Sequence, residues 1–276
     1  MTDKFAVFKN LLSHLILILA AIVLVFPFIW MLSGSFKDSL EVVRMPPNLI
    51  PETFLFSNYV EITKYFPIYR FLGNSVFVAI VTTLAQMAAC AMGAFVFAKI
   101  QFRGRETLFG LYLITMMIPM QVTLTPLFIV FQKLNLINTY PGLILPGIFS
   151  AYGTFLLRQH MMTIPDPLIE AARMDGASYA RVFAQIIIPL SKPALATLSI
   201  FAFMASWNNF LWPLIATSDK ELMTLPIGLS KLTGRWATEW NILMAGNVIS
   251  FVPIFIVFLF ASRYFIKGMT MSGVKG

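Results

Sequence analysis

Two short stretches gather side chains whose types and spacing could do chemistry. The first is EAARMDGAS, Glu170 to Ser178, a polar island in a chain of 276 residues that is 58% hydrophobic. Glu170 and Arg173 stand three apart and share a face if the stretch is helical, while the small Ala171 and Ala172 allow another surface to approach closely. With Asp175 and Gly176 they form a set suited to recognition by charge and shape. The second is WNNFLWPL, Trp207 to Leu214, which puts two indoles, two amides and a helix-breaking proline within one short run. Trp207, Asn208 and Asn209 have the aromatic faces and amides that hold a sugar ring; a tryptophan belt at a membrane interface uses the same residue types.

Other chemistry is excluded by what is missing. There is no H-E-x-x-H and no G-x-S-x-G, and paired carboxylates do not occur in apolar segments, which argues against a membrane enzyme. The single cysteine, Cys90, sits in an apolar run and supports neither a disulfide framework nor a thiolate metal cluster. No catalytic residue and no metal ligand set is assigned. The chain contains no G-x-x-x-x-G-K-[ST] and no Gly-Lys dipeptide, so it cannot build a P-loop. The formal net charge of +8 is scattered and forms no basic run with interleaved aromatics, which argues against nucleic acid.

The elements that must position these stretches are membrane helices. Only 12% of residues are charged, against about 25% in soluble domains. Apolar runs of about 20 residues match the hydrocarbon thickness at 1.5 Å per residue. Six spans are expected at residues 11–33, 71–97, 107–131, 143–158, 193–217 and 241–264, within one transmembrane domain covering 1–276. The fold class is an all-α membrane protein. With the N- and C-termini cytoplasmic, the inner loops carry twelve basic and five acidic residues and the outer loops eight and seven, the asymmetry of the positive-inside rule. EAARMDGAS then faces the cytoplasm in a loop, 159–192, between the fourth and fifth spans. The first span exceeds a signal-peptide core in length and is read as retained. Outer loops 35–70 and 218–240, with Tyr59, Trp236 and Trp240, either dock a partner or simply connect.

The apolar cores contain no Asp, Glu, Lys or Arg, and His14 and His160 lie near span ends, so no proton or sodium relay is visible. Neutral polar groups are present instead: Asn74, Thr82, Thr83 and Gln86; Thr115, Gln121, Thr123 and Thr125; Ser206, Asn208 and Asn209; Asn247 and Ser250. They can hydrogen-bond a hydroxyl-rich solute or glue helices together. Ala85, Ala89 and Gly93 make a small-residue stripe for close helix packing. Pro119, Pro126, Pro213 and Pro253 interrupt spans and free carbonyls.

The loop carries its own helix punctuation. Asp166 is expected to cap and Pro167 to open a first helix, Leu168 to Asp175, which Gly176 ends in the left-handed conformation. Ser178 is expected to cap a second, Tyr179 to Ile188, stopped by Pro189. Val182, Phe183, Ile186 and Ile187 give that second helix an apolar stripe. The corner serves either as a docking element or as an amphipathic connector on lipid headgroups.

EAARMDGASYARVFAQIIIPL resembles the EAA motif of ABC importer permeases. Glu170, Ala171, Ala172, Gly176, Ile186 and Pro189 fall on the motif, with Ile188 where Leu is usual. The C-terminal GMTMSGVKG and WNNFLWPL resemble the tail and fifth-span signature of carbohydrate-importer permeases of the maltose-transporter type. The resemblance implies that the loop is a coupling helix seated in a separate ATP-hydrolysing subunit. Glu170, Ala171, Ala172, Asp175 and Gly176 would make the contact, and the tail from Gly268 would reach toward the ATPase dimer interface. It also implies a second, homologous permease, an ATP-hydrolysing subunit dimer that uses ATP and Mg, and an extracytoplasmic solute-binding protein that delivers a sugar. This chain itself would bind no cofactor. Its place would be the cytoplasmic membrane of a bacterium or archaeon, with lipid around it. Glycerol-3-phosphate uptake is the alternative within the family, and an ATP-independent facilitator the alternative outside it.

Overall fold

A computed structural model describes residues 4–232 and 239–273, with side chains described for 9–232 and 239–260. Trp236 and the side chains of the Gly268 to Gly276 tail lie outside the described set. Among the described residues the fold is all-helical.

Among the described residues three helices are each long and apolar enough to cross a membrane: the Lys9–Gly34 part of α1 (Lys4–Gly34), α4 (Ile68–Lys99), and the Trp240–Phe260 part of the helix from Trp240 to Gly273. The number rises to six if each of three bent helix pairs is one span.

The spans expected from sequence differ from these helices at the prolines and amides. The segment 107–131 is bent by 99° between α5 (Arg105–Ile114), with its terminal turn to Met117, and α6 (Met120–Lys133). Ile118 is extended there, as a residue preceding proline must be, and Pro119 has no N–H with which to continue the ladder. The segment 143–158 starts earlier, at Tyr140. It consists of α7 (Tyr140–Ile144) with a turn to Gly147, then α8 (Ala151–Met162), bent by 46°. Thr139 caps the first piece through Gly142 N–H and Ser150 the second through Gly153 N–H. The segment 193–217 is α12 (Lys192–Trp207), a break at Asn208 to Phe210, and then α13 (Leu211–Ala216). Pro126, Pro213 and Pro253 stay inside helices.

The fold divides into two compact units. In residues 1–68 with 228–252, buried Asn58 donates to the carbonyls of Ser35 (2.9 Å) and Lys37 (2.8 Å) and accepts from Asn241 (3.2 Å). Lys37, 1% exposed, donates to Asn48 O and lies 4.9 Å from the Trp30 ring centroid. The short helix α2 (Ser39–Val43) is capped by Asp38, and α3 (Asn58–Tyr65) ends where the Tyr65 hydroxyl donates to Glu239. That hydrogen bond to a carboxylate, with burial adding to it, holds the Tyr65 phenol up to about 12.

In residues 69–227, α4 is the axis. Cys90, Ala91, Ala94 and Phe95 enter one buried apolar cluster with Leu157 and Met161 of α8 and Leu195 and Leu198 of α12. Close approach depends on small residues: a Cβ on Gly153 would meet Leu198 Cδ1 at 2.9 Å and Cys90 Sγ at 3.0 Å. Of the Ala85, Ala89, Gly93 stripe, Gly93 faces Thr154 of α8 at contact distance. A second cluster holds Val78, Phe131, Leu143, Ile144, Trp212 and Ala216.

Candidate functional site

The acidic corner is built as two helices around a left-handed glycine. Helix α9 (Asp166–Met174) begins after Pro165, and its next residue, Pro167, has no N–H to leave unpaired. Asp166 does not cap it, contrary to expectation. Its carboxylate instead accepts from Lys99 Nζ at 2.7 Å, a charge-assisted bond that outcompetes a neutral backbone N–H. At the other end Gly176 takes φ +82°, and Ala177 N–H reaches Ala172 O at 2.9 Å, closing the helix. Beyond its two chain neighbours no heavy atom lies within 4 Å of where a Gly176 Cβ would stand, so glycine is required for its dihedral and not for space.

Ser178 caps the second helix, accepting from Arg181 N–H at 3.2 Å. This helix does not stop at Pro189, as the sequence led one to expect. Helix α10 (Tyr179–Val182) passes into a π turn, Phe183–Ile187, and then a single α turn, Ile188–Leu190, labelled α11. A π turn reroutes the backbone bonds, so the missing N–H of Pro189 is accommodated within the helix. The chain bends by 79° only at Ser191.

Both helices bury apolar side chains in the same cluster, and α9 also keeps an open face. Val182 and Ile187 are 0% exposed, Ile169 of α9 is 7% exposed beside them, and Phe183, Ile186 and Ala172 pack against the same cluster. Glu170, Ala171, Met174 and Asp175 remain exposed, Met174 at 83%. Arg173 is spent inside the corner: it donates to Ala177 O at 2.9 Å and lies 4.4 Å over the Tyr179 ring. Glu170 has no ion pair with it, and Glu170 and Asp175 stand exposed beside the exposed Arg173.

Lys99 holds the corner to α4, and Arg158 ties α8 to α4 and α5 beside it; in the sequence both are legible only as orientation charges. Lys99, the last residue of α4, has a side chain 3% exposed and donates to both Ile164 O (2.5 Å) and Asp166. Arg158 of α8 donates from Nε to Phe97 O (3.0 Å) and from Nη2 to both oxygens of Glu106 (2.7 and 2.9 Å), while lying 4.1 Å over Phe109. The signal in the sequence is a lone cation at the end of an apolar run, where burial demands a carboxylate or carbonyl partner.

The tryptophan corner is organised differently. A cavity of about 440 Å³ is lined by Thr82, Gln86, Met120, Leu143, Pro146, Gly147, Ala202, Ala205, Ser206, Asn208, Asn209, Phe210 and Leu211, none of them charged. Asn208 and Asn209 reach it. Trp207 does not: it is 2% exposed and stacks on Phe203 with centroids 5.7 Å apart. Trp212 is also buried, donating to Gly142 O at 2.9 Å with its edge to Phe131. The indoles are packing here, and the amides are the open groups. Thr82 Oγ1 is buried at the cavity wall without a partner.

Asn74 is glue. It donates to Glu221 O and Met223 O, both at 2.9 Å, and accepts from Tyr140. Thr115 and Thr123 bond carbonyls of their own helices.

Residues 87–271, which contain both corners, match the family of binding-protein-dependent transport system inner membrane components. The chain belongs to that family. It is 39% identical over 259 residues to the arabinooligosaccharides transport system permease protein AraQ of Halalkalibacterium halodurans, covering 93% of each chain. It is 38% identical to AraQ of Bacillus subtilis (strain 168), covering 100% of this chain and 99% of that one. The sn-glycerol-3-phosphate transport system permease protein UgpE of Escherichia coli O1:K1 / APEC is 37% identical over 95% of this chain and 96% of its own. The fold is that of a chain from a bacterial ABC transporter involved in the import of the acidic polysaccharide alginate, with TM-score 0.84 at 24% identity over 96% of this chain and 99% of that one. As a member, the chain is a permease and an inner membrane component of a binding-protein-dependent transport system.

Proposed function

We infer that this chain is a six-span permease subunit of an ATP-driven importer that passes a carbohydrate through a pathway shared with a homologous permease. Both termini and the 159–192 loop face the cytoplasm in this reading, where the positive-inside asymmetry puts them. The observation that carries the coupling role is the division of labour at the acidic corner: Ile169, Val182 and Ile187 are locked into the bundle, while Glu170, Ala171, Met174 and Asp175 stand out from it. An ATP-hydrolysing subunit with a basic cleft fits that face. A solute-binding protein delivers the sugar on the opposite side of the membrane.

In this mechanism the chain does no covalent chemistry. Closure of the ATP-hydrolysing dimer moves α9 as a rigid piece about Gly176, and the bundle opens toward the binding protein. Asn208 and Asn209, with Thr82, Gln86 and Ser206, offer donors and acceptors to hydroxyl groups. The lining has no charge with which to hold a phosphate dianion, which favours a neutral sugar. The UgpE relatives give the second reading, sn-glycerol-3-phosphate.

The test uses the full chain, tagged and purified from its own membrane with its binding protein. ATP hydrolysis is measured on adding an arabino-oligosaccharide or sn-glycerol-3-phosphate. Stimulation by the oligosaccharide alone is expected; stimulation by the phosphate ester alone reverses the choice of solute. Solute flux through liposomes holding this chain by itself would instead establish a facilitator.

A further inference from the structure

The coupling reading leaves open how movement of α9 reaches the cavity, and the buried cations supply a route. Lys99 holds the carbonyl of Ile164 in the α8–α9 connection and the carboxylate of Asp166 at the first residue of α9. Two residues earlier on α4, Phe97 O accepts from Arg158 of α8, whose other end grips Glu106 in the first turn of α5. The last turn of α4 is therefore the meeting point of α9, α8 and α5. Lys99 is buried, so its ammonium has few ways to regain water if α9 moves without it. The bond must follow α9 or leave a desolvated charge.

The far end of the route is on the same helix. Thr82 and Gln86 of α4 line the uncharged cavity, and α4 runs without a break from Ile68 to Lys99. Gln86 and Lys99 are thirteen residues apart, about 20 Å along an unbroken helix. A helix of this kind transmits displacement along its axis.

We propose that Lys99 is a positioning residue for transport: it latches the first turn of α9 to α4, so that displacement of α9 is delivered to Thr82 and Gln86 at the cavity. The proposal rests on the coupling reading above. The latch acts on the yield of transport per ATP, not on hydrolysis, because the Lys99 side chain, 3% exposed, lies away from the exposed face offered to the ATP-hydrolysing subunit.

The experiment purifies the tagged full-length chain from its own membrane with the subunits it retains and reconstitutes it with its binding protein. Uptake of labelled arabino-oligosaccharide, or sn-glycerol-3-phosphate if that is the solute that stimulates, is measured beside phosphate release in the same vesicles. Lys99→Met is expected to lower solute moved per ATP about tenfold, a typical effect of breaking one link between coupled sites. Lys99→Arg, which keeps a buried donor cation, should restore most of it. Asp166→Asn is a mild variant at an exposed carboxylate and should give a smaller drop of about threefold, and adding it to Lys99→Met should lower the ratio little further.

An unchanged ratio of solute to ATP in Lys99→Met and Asp166→Asn overturns the latch. So does an equal fall in uptake and hydrolysis, which marks a merely structural role. Should Lys99→Met not fold, Asp166→Asn and Lys99→Arg decide by the same ratio. A wild-type chain that retains no ATP-hydrolysing subunit overturns the coupling reading itself, an outcome visible before any variant is made.

Discussion

Gly142 and Gly176 are both glycines at a corner, for opposite reasons. At the tryptophan corner a Cβ on Gly142 would stand 2.0 Å from Leu136 O, a backbone atom, while Gly142 O accepts from the buried Trp212 indole. At the acidic corner Gly176 has open space around it and needs only its positive φ. The first corner is constrained by close packing and neutral hydrogen bonds: Asn138 to Ser218 and Asp219, Asn74 to Glu221 and Met223. The second is open on one side and held to the bundle by the buried side chains of Ile169, Val182 and Ile187 and by the buried Lys99. A corner whose outer face is open takes its restraint from within. A corner that borders a cavity is closed by its own backbone.

The largest expected effect separates the two glycines. Gly142→Ala should cost about 3 kcal/mol or more, because overpacking against a carbonyl cannot be relieved by rotating a side chain. Gly176→Ala should cost only about 1–2 kcal/mol of left-handed strain, and Gly176→Asn less still. Thermal unfolding of the detergent-purified chain measures both, and equal losses would erase the contrast.

Next comes Asn74→Ala, which strands the carbonyls of Glu221 and Met223 and the Tyr140 hydroxyl. A loss of about 2 kcal/mol is expected from orphaning such buried groups, with faster amide hydrogen exchange confined to residues near 219–225. Exchange rising equally across 163–178 would mean the corners are not independently restrained. Trp212→Phe keeps the ring beside Phe131 but deletes the donor to Gly142 O, and should cost about 1 kcal/mol.

The smallest effect tests a charged contact outside both corners. Glu239→Gln should bring the Tyr65 phenol from about 12 down toward its ordinary 10.0, read as tyrosinate absorbance against a Tyr65→Phe control. The sign follows from linkage: a phenol raised in the folded chain contributes its full stability below pH 10.0 and loses it as pH climbs through about 12. A Tyr65 titration unmoved by Glu239→Gln would remove the carboxylate as the cause.

Much of the acidic corner is legible from residue types because its rules are local. Gly176 must be left-handed, Ser178 must cap, and Val182, Phe183, Ile186 and Ile187 share a face by periodicity alone. The expected cap at Asp166 fails because its true partner, Lys99, is distant in sequence and adjacent only in space. The expected stop at Pro189 fails because a π turn lets a helix pass a proline. WNNFLWPL is open to two readings, solute path or interfacial belt, since indoles and amides look alike in either. The fold sends Trp207 and Trp212 inward and leaves Asn208 and Asn209 at the cavity.

By itself the sequence determined that this is a helical membrane protein without a P-loop, with a capped polar corner between apolar segments. Those properties follow from composition, hydrophobic run length and short-range backbone chemistry, all of which act within a few residues. Tertiary structure alone decided that Lys99 and Arg158 are buried clamps, that Asn74 binds carbonyls nearly 150 residues away, and that the amides rather than the indoles line the cavity. Burial and partner choice depend on which distant surfaces meet, and no local pattern encodes that meeting.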